Sequence, residues 1–376
     1  MHANVVSAQT TVVKEEVIFV VRLFAFATAA YEWHPALHFA MPCLIRYFSV
    51  LFVALWLVPS CQTVKFYGQA AGGQFEILRK SRAIPPIIAD PLTDPKLRKQ
   101  LVAIQGIRQF AEAHLSLPGS ESYGTYADLG RDYVTWVLYA SPEFSLKPRT
   151  WWYPFLGHLD YRGFFKEEDA KQLAIELREK GDDVEIGGVD AYSTLGWFHD
   201  PVLNCFVQNS DIYLAELIFH ELTHRRLFRH GDTAYNESLA TAYSEEGVKR
   251  WLIAQNRNAD LLRYEKLLVR RGQFYDQIDI ARLQLERLYA SGKPNDQMRR
   301  EKCVILHALR ENFRDLRRRW GGHGLESWLK EDLNNAHLIS IITYQKNVSV
   351  FHQLLKDCGG NVDLFFEKAA RLKLVN

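Results

Sequence analysis

The sequence FHELTH, around His220 and His224, constrains this chain more than any other feature. Residues four positions apart on an α-helix lie on the same face, so the two histidines can bind one metal ion. Glu221 lies beside them, where a general base for a metal-bound water is needed. Leucine and isoleucine recur at helical spacing before the motif, and Ser210 or Asp211 can cap the start of this helix.

A turn signal follows the motif, and a second helix is predicted after it. Asp232 or Thr233 can cap this helix, which places Glu237 about one turn inside it. A bare HExxH sequence arises by chance in on the order of one chain in a hundred of this length. Two histidines and one glutamate leave the fourth position of zinc open to water, as catalytic zinc requires. We therefore predict that His220, His224 and Glu237 bind Zn²⁺, rather than lying by chance on a surface helix.

The motif and the Asn236-Glu237 pair resemble the zincin metallopeptidases whose third ligand is glutamate, such as thermolysin. Twelve residues separate His224 from Glu237, fewer than those enzymes usually have. A closer resemblance is to a family of predicted bacterial aminopeptidases, many of which are lipoproteins, and it covers the chain from about Phe66 onward. It is carried by the segments 161–165, 187–198 and 220–237. The resemblance implies a zinc peptidase, with aminopeptidase activity as the expectation.

In the mechanism that these residues predict, Glu221 deprotonates a zinc-bound water, which attacks a peptide carbonyl, and then protonates the leaving amine. One alternative is an endopeptidase or amidase that acts on envelope material. Zincin aminopeptidases often anchor the substrate amine through a glutamate in a Gly-x-Met-Glu-Asn strand, which this chain lacks; Asp190 is the nearest acid that can serve. The other alternative is a non-catalytic metal-binding lipoprotein, and Glu221 argues against it because a structural site needs no base.

Length and composition indicate a globular protein. The chain has 376 residues, of which 48% are hydrophobic and 24% are charged, enough for a large core in one catalytic domain, or at most two domains. The net charge of +2 gives no reason to expect a nucleic-acid partner. We predict an α+β, zincin-like metallopeptidase domain over residues 61–376. A small mixed or antiparallel sheet beside the metal helix belongs to residues 62–210, and residues 211–376 form a mainly helical half.

Periodicity gives a coarse map of the domain. Helices are predicted at 95–114, 166–180, 336–355 and 362–374, with a long antiparallel helical hairpin between residues 261 and 320. Strands are predicted at 132–139, 150–161 and 183–192.

The N-terminal region reads as a leader. Residues 41–60 carry one positive charge, an apolar run and small residues, which predicts a lipoprotein signal peptide. The sequence VPSC ending at Cys61 resembles a bacterial lipobox, so Cys61 is the predicted lipidation site and membrane anchor. Gln62 in place of an aspartate favours the outer membrane, with the domain facing the periplasm of the bacterial envelope. An uncleaved membrane anchor is the alternative, and residues 1–40 are an over-extended reading frame or a second anchor.

Several other residues are candidates for the site. Gly187, Gly188 and Asp190 lie in one predicted strand. If this strand forms the edge of the sheet, it can bind an extended substrate beside the glycines. A bulge or bend explains the two glycines equally well. Glu216 lies one turn before His220 and can hold a ligand histidine, or can be an ordinary helix glutamate. Asn236 can support the site or cap a helix.

A peptidase also needs a donor for the tetrahedral oxyanion. Tyr344 is the first candidate and His337 the second, with a buried core tyrosine as the alternative for Tyr344. The cysteines of the domain can give one disulfide in an oxidising compartment, and the sequence alone does not pair them; they are Cys205, Cys303 and Cys358.

Overall fold

A computed structural model describes the chain from Cys61 to Leu374. The residues within this span that it leaves undescribed are 120–121, 154–156, 192–198, 230, 331 and 346. The leader lies outside the described residues, so the signal peptide and the early start remain predictions. In the described part, no helix is both long and apolar enough to cross a membrane.

The strands of the described chain are short and all precede the metal helix. They are β1 (Arg82–Ala83), β2 (Thr125–Ala127), β3 (Thr135–Pro142), β4 (Trp151–Tyr153), β5 (Gly157–Leu159), β6 (Arg162–Phe164), β7 (Asp182–Val189) and β8 (Val202–Leu203). The main sheet is antiparallel in the order β6-β3-β7, and β3 pairs with β7 from Thr135↔Val189 to Pro142↔Asp182. A second sheet, β1-β2-β8, contains the parallel pair β2-β8, and β4-β5 is a separate hairpin.

Helices form most of the domain and all of its described elements after Asp211. Those that precede or alternate with the strands are α1 (Cys61–Lys80), α2 (Ile84–Ala89), α3 (Pro95–Leu115), α4 (Glu167–Glu179) and α5 (Asn204–Val207). The later helices are α6 (Asp211–Arg226), α7 (Thr233–Ala254), α8 (Asn258–Tyr289), α9 (Asn295–Arg319), α10 (Glu326–Lys330), α11 (Asn335–Gln345), α12 (Val348–Asp357) and α13 (Val362–Arg371). The architecture is α+β and mostly helical, as predicted.

Two of the predicted elements are each divided into two in the structure. The single strand predicted over 150–161 is two strands, β4 and β5, which pair with each other and not with a longer neighbour. The single helix predicted over 336–355 is divided into α11 and α12. The backbone N–H of Asn347 donates to Ser238 Oγ on α7 at 3.2 Å. This N–H would bond to the carbonyl four residues earlier in a continuous helix, so a tertiary contact replaces the helical bond.

The packing places α6 at the centre of the molecule. This helix packs against α7 and α3, while the main sheet packs between α4 and α11. The larger hydrophobic core surrounds α6, with Leu214, Leu217 and Phe219 fully buried. A smaller core holds the hairpin of α8 and α9 together through residues such as Phe274 and Phe313. Cys205, Cys303 and Cys358 are free thiols, so the possible disulfide among them does not form.

Candidate metal centre

The helix α6 is buried on every face. Its first turn is capped by Ser210, one of the two predicted candidates, whose Oγ accepts the backbone N–H of Tyr213 at 3.3 Å. All residues from Tyr213 to His224 are buried. The buried polar residues in this stretch, apart from Tyr213 itself, are Glu216, His220, Glu221, Thr223 and His224. Burial of polar groups costs free energy unless they bond to a partner or a metal. The partner of each of these residues therefore indicates its role.

Three of the predicted side chains meet between α6 and α7. His220 Nε2 lies 3.2 Å from His224 Nε2 and 3.2 Å from Glu237 Oε2. His224 Nε2 lies 3.6 Å from Glu237 Oε1. The metal-binding atoms of the three residues all lie within 4.8 Å of one another, and all three residues are buried. The structure therefore brings His220, His224 and Glu237 into one group that could hold a metal ion.

The donor set of this group fits zinc. Two ligand atoms, each roughly 2.0–2.1 Å from a tetrahedral zinc ion, lie about 3.3 Å from one another. The separations of 3.2, 3.2 and 3.6 Å are close to that value. Two imidazole nitrogens and one carboxylate oxygen are also ligands that zinc commonly takes. Three such ligands are the number found in catalytic sites, where a fourth position is left for water or substrate.

The position of Glu237 is fixed by the start of α7. Asp232 caps this helix by accepting the backbone N–H of Tyr235 at 3.1 Å, in agreement with the prediction. Asn236 reaches back to the loop that joins the two helices: its Nδ2 donates to the Arg229 carbonyl at 2.7 Å, and its Oδ1 accepts the Arg229 N–H at 2.8 Å. The buried amide thus satisfies both backbone groups of one loop residue and fixes the loop beside Glu237.

The predicted base, Glu221, is 1% exposed and lies among residues that the sequence analysis did not single out. Burial raises the pKa of Tyr123 well above its usual value, and the negative charge of Glu221 raises it further. The pKa of Tyr213 is also raised well above its usual value, first by burial, then by the charge of Asp190, and also by the charge of Glu221. Tyr123 has a left-handed backbone with φ of 59°, which is uncommon for a residue other than glycine. No sequence motif marks these two phenols: Tyr213 lies on the same helix as Glu221, and Tyr123 comes from a distant part of the chain.

Asp190 follows β7 and reaches the metal helix. The hydroxyl of Tyr213 lies 3.0 Å from Asp190 Oδ2 and 3.2 Å from Oδ1, so it donates to this carboxylate. Burial raises the pKa of Asp190 to about 6, although the bond from Tyr213 lowers it. Tyr213 precedes His220 by seven positions, which is close to two helical turns and places both on one face of α6. Asp190 is thus joined to the face that carries the histidines.

The two glycines lie in β7, opposite Trp136 and Val137 of β3. A Cβ atom added to Gly188 would lie 2.5 Å from the ring of Tyr133. The close approach at Gly188 therefore comes from an aromatic side chain of the same protein. The role of Gly187 and Gly188 in binding substrate stays a prediction.

Glu216 and the oxyanion candidates have specific surroundings. Both oxygens of Glu216 accept hydrogen bonds from the guanidinium of Arg271 on α8. His337 lies at the start of α11, with its Nε2 2.9 Å from Glu185 Oε2 of β7. Tyr344 belongs to α11, but its side chain lies outside the described part of the structure. The assignment of an oxyanion donor stays a prediction.

Together, the fold and the site define an α+β protein with a buried His-His-Glu group on two consecutive helices. Residues 65–376 match the model of a family described as putative aminopeptidases, and the chain belongs to this family. This match confirms the predicted aminopeptidase family over the part of the chain where the resemblance was expected, while the likeness to zincins and to lipoproteins stays a prediction. No curated protein and no solved structure matches the chain.

Proposed function

We propose that the protein is a zinc-dependent metallopeptidase that removes residues from the N-termini of peptides. The observation that carries the proposal is the buried group of His220, His224 and Glu237, whose ligand atoms lie within 4.8 Å of one another. Glu221, the neighbour of His220 in the motif, supplies the carboxylate that this chemistry needs. Membership in a family described as putative aminopeptidases supports the same class of reaction.

Each residue of the centre has a distinct task in this proposal. His220, His224 and Glu237 hold the metal, which when bound would polarise the substrate carbonyl and lower the pKa of water. Glu221 accepts a proton from the attacking water and delivers it to the leaving amine. Burial of Glu221 keeps its carboxylate in a region of low dielectric constant, where it interacts strongly with developing positive charge.

Asp190 supports the choice of an aminopeptidase over an endopeptidase. The residue is 9% exposed, and the hydrogen bond that its carboxylate accepts from Tyr213 comes from a neutral phenol. A substrate ammonium group would supply the opposite charge and a charge-assisted hydrogen bond. We expect Asp190→Asn to raise KM for peptides with a free N-terminus and to leave N-acetylated peptides unaffected. Asp182→Asn is the matched control, because Asp182 is equally buried but pairs with Arg149.

The decisive experiment compares peptides of one sequence with free and acetylated N-termini. The purified full chain is loaded with zinc and assayed on both, and product masses identify the bond that is cleaved. Release of the first residue from the free peptide alone is the expected result. Equal cleavage of both peptides would identify an endopeptidase, and cleavage of envelope material alone, in a parallel assay, would identify an endopeptidase or amidase of the envelope. A chain that binds zinc but hydrolyses none of them would be a non-catalytic metal-binding protein.

The proposal also includes a lipid anchor at Cys61. The motivation is the apolar run that ends in VPSC, together with Gln62 at the following position. Stable attachment requires more than one acyl chain, and a bacterial lipoprotein cysteine carries several. We expect mass spectrometry of the mature protein to find a modified N-terminal Cys61, and Cys61→Ala to abolish acylation. An N-terminal peptide that begins upstream of Cys61 would contradict the anchor and leave the peptidase proposal untouched.

A further inference from the structure

Arg271 lies on α8 and connects three helices in the interior. Its side chain is 5% exposed. Its Nη1 and Nη2 atoms donate to the two oxygens of Glu216 on α6, at 2.6 and 2.8 Å. Nη1 also donates to Glu245 Oε1 on α7, at 3.2 Å. Burial lowers the pKa of Arg271, but the two carboxylates raise it by more, so the guanidinium remains charged.

The helices that Arg271 joins are the two that carry the metal ligands. Glu216 precedes His224 by eight positions on α6, and Glu245 follows Glu237 by eight positions on α7. The two helices therefore run antiparallel, because the cluster of Arg271 lies before the metal ligands on α6 and after the metal ligand on α7. Eight residues of helix span about 12 Å. Two polar contacts thus connect α6 to α7, the group of metal ligands and the cluster of Arg271. Both contacts form in the same register of the two helices.

The register of α6 and α7 decides whether the ligands meet. A slide of one residue moves a side chain by about 1.5 Å along the helix and rotates it by about 100°. Such a shift would remove Glu237 from the histidines, whose Nε2 atoms lie 3.2 and 3.6 Å from its oxygens. The fixed fork of a guanidinium holds a carboxylate in one orientation, which a point charge does not. Without a cation between them, the carboxylates of Glu216 and Glu245 would repel one another.

The far side of this cluster is anchored as well. Glu245 Oε2 lies 2.9 Å from Nε2 of His352 on α12. The two oxygens of Glu245 therefore face different helices, Oε1 toward α8 and Oε2 toward α12. The position of α7 is fixed against both neighbours, and the cluster does not depend on the hydrophobic core alone.

We propose that Arg271 is a positioning residue for the metal centre, which holds α6 and α7 in the register that brings Glu237 to His220 and His224. The inference rests on the proposed function, because it assigns a task to Arg271 in a site that binds zinc. Residues that orient metal ligands typically change metal affinity by 10–100-fold when they are replaced. We expect an effect of this size from a residue that touches none of the three ligands directly.

The test measures metal affinity in the full chain by competition with a chelator, together with the absorption spectrum of the Co²⁺ form. Arg271→Met removes the charge, and Arg271→Lys keeps it without the fork. Lys302→Met is the matched control. Lys302 is 6% exposed and its Nζ donates to Asp183 Oδ2 at 2.6 Å, so it is a buried cation of the same kind that joins α9 to β7 instead.

The expected result is a zinc affinity at least tenfold weaker in Arg271→Met, partly recovered in Arg271→Lys, and unchanged in Lys302→Met. A changed Co²⁺ spectrum in the Arg271 variants would accompany the loss. Wild-type affinity in Arg271→Met, or an equal loss in Lys302→Met, would overturn the inference. If Arg271→Met does not fold, Arg271→Lys decides, and wild-type affinity in that variant overturns the inference. Absence of zinc binding in the wild type would instead overturn the proposed function.

Discussion

Two buried clusters join α6 to α7, and they differ in the source of their positive charge. At one cluster, Arg271 lies between Glu216 and Glu245 and supplies a permanent cation. At the other, the fully buried carboxylate of Glu237 lies against the imidazoles of His220 and His224. An imidazole is neutral near pH 7 unless its pKa is raised. A divalent metal would supply at this cluster the charge that a side chain supplies at the first.

The difference shows why acidic residues on a buried helix are a poor guide to function by themselves. Glu216 and Glu237 are both buried, and both bond to groups on a neighbouring helix. The type of partner decides the role, because a guanidinium completes a carboxylate pair whereas imidazoles act as additional metal donors. In the cluster of Arg271 the charge of the two carboxylates is met by a protein cation, whereas the cluster of Glu237 is suited to a ligand from solution.

The largest expected effect comes from Glu237→Gln. The amide keeps the volume of the side chain but is a much weaker zinc ligand, so bound zinc and peptidase activity should both be lost. Zinc per chain is measured by atomic absorption after gel filtration. Glu246→Gln is the control, because Glu246 lies on the same helix and pairs with Arg250. Stoichiometric zinc in Glu237→Gln would show that another residue is the third ligand.

Glu221→Gln should separate binding of the metal from chemistry. Loss of the general base is expected to lower kcat by roughly 10²–10⁴-fold, while zinc content and the circular dichroism spectrum remain those of the wild type. Steady-state kinetics on the free peptide give kcat and KM separately. Turnover within a few-fold of the wild type would exclude Glu221 as the base.

Glu216→Gln tests the other cluster and should change stability more than chemistry. Removing one partner of a buried ion pair costs about 3–5 kcal/mol, and a value near the lower limit is expected because Glu245 remains 3.2 Å from Arg271. Urea denaturation of the metal-free protein gives the free energy of unfolding. A loss below about 1 kcal/mol would mean that this cluster does not hold the helices together.

The smallest expected effect is a pH dependence that originates at Asp190. Its pKa is raised from 3.8 to about 6 in the folded protein, so the folded state keeps a proton that the unfolded state has released. The free energy of unfolding should therefore fall as pH rises from about 4 to about 6, by at most about 3 kcal/mol. Denaturation curves measured across this range test the expectation. Asp190→Asn should remove this part of the slope, and an unchanged slope would assign it to other groups.

Local patterns in the sequence were sufficient for much of the site. The capping residues Ser210 and Asp232 and the spacing of the motif placed both ligand helices correctly, because caps and helical periodicity act over a few residues. The same patterns failed where the chain reverses between β4 and β5, since aromatic residues favour both strands of a hairpin as much as one long strand.

What the sequence alone determined is the set of groups that can bind a metal, because His220 and His224 are brought together by one helix. Only the tertiary structure decided three contacts between distant parts of the chain. They are the contact of Glu237 with the two histidines, the bonds of Arg271 to Glu216 and Glu245, and the bond between Asp190 and Tyr213. Arg271 lies among apolar positions of a long helix, and this local pattern points to neither Glu216 nor Glu245. Contacts between residues far apart in the chain depend on how helices pack and in which register, and no local periodicity encodes that register.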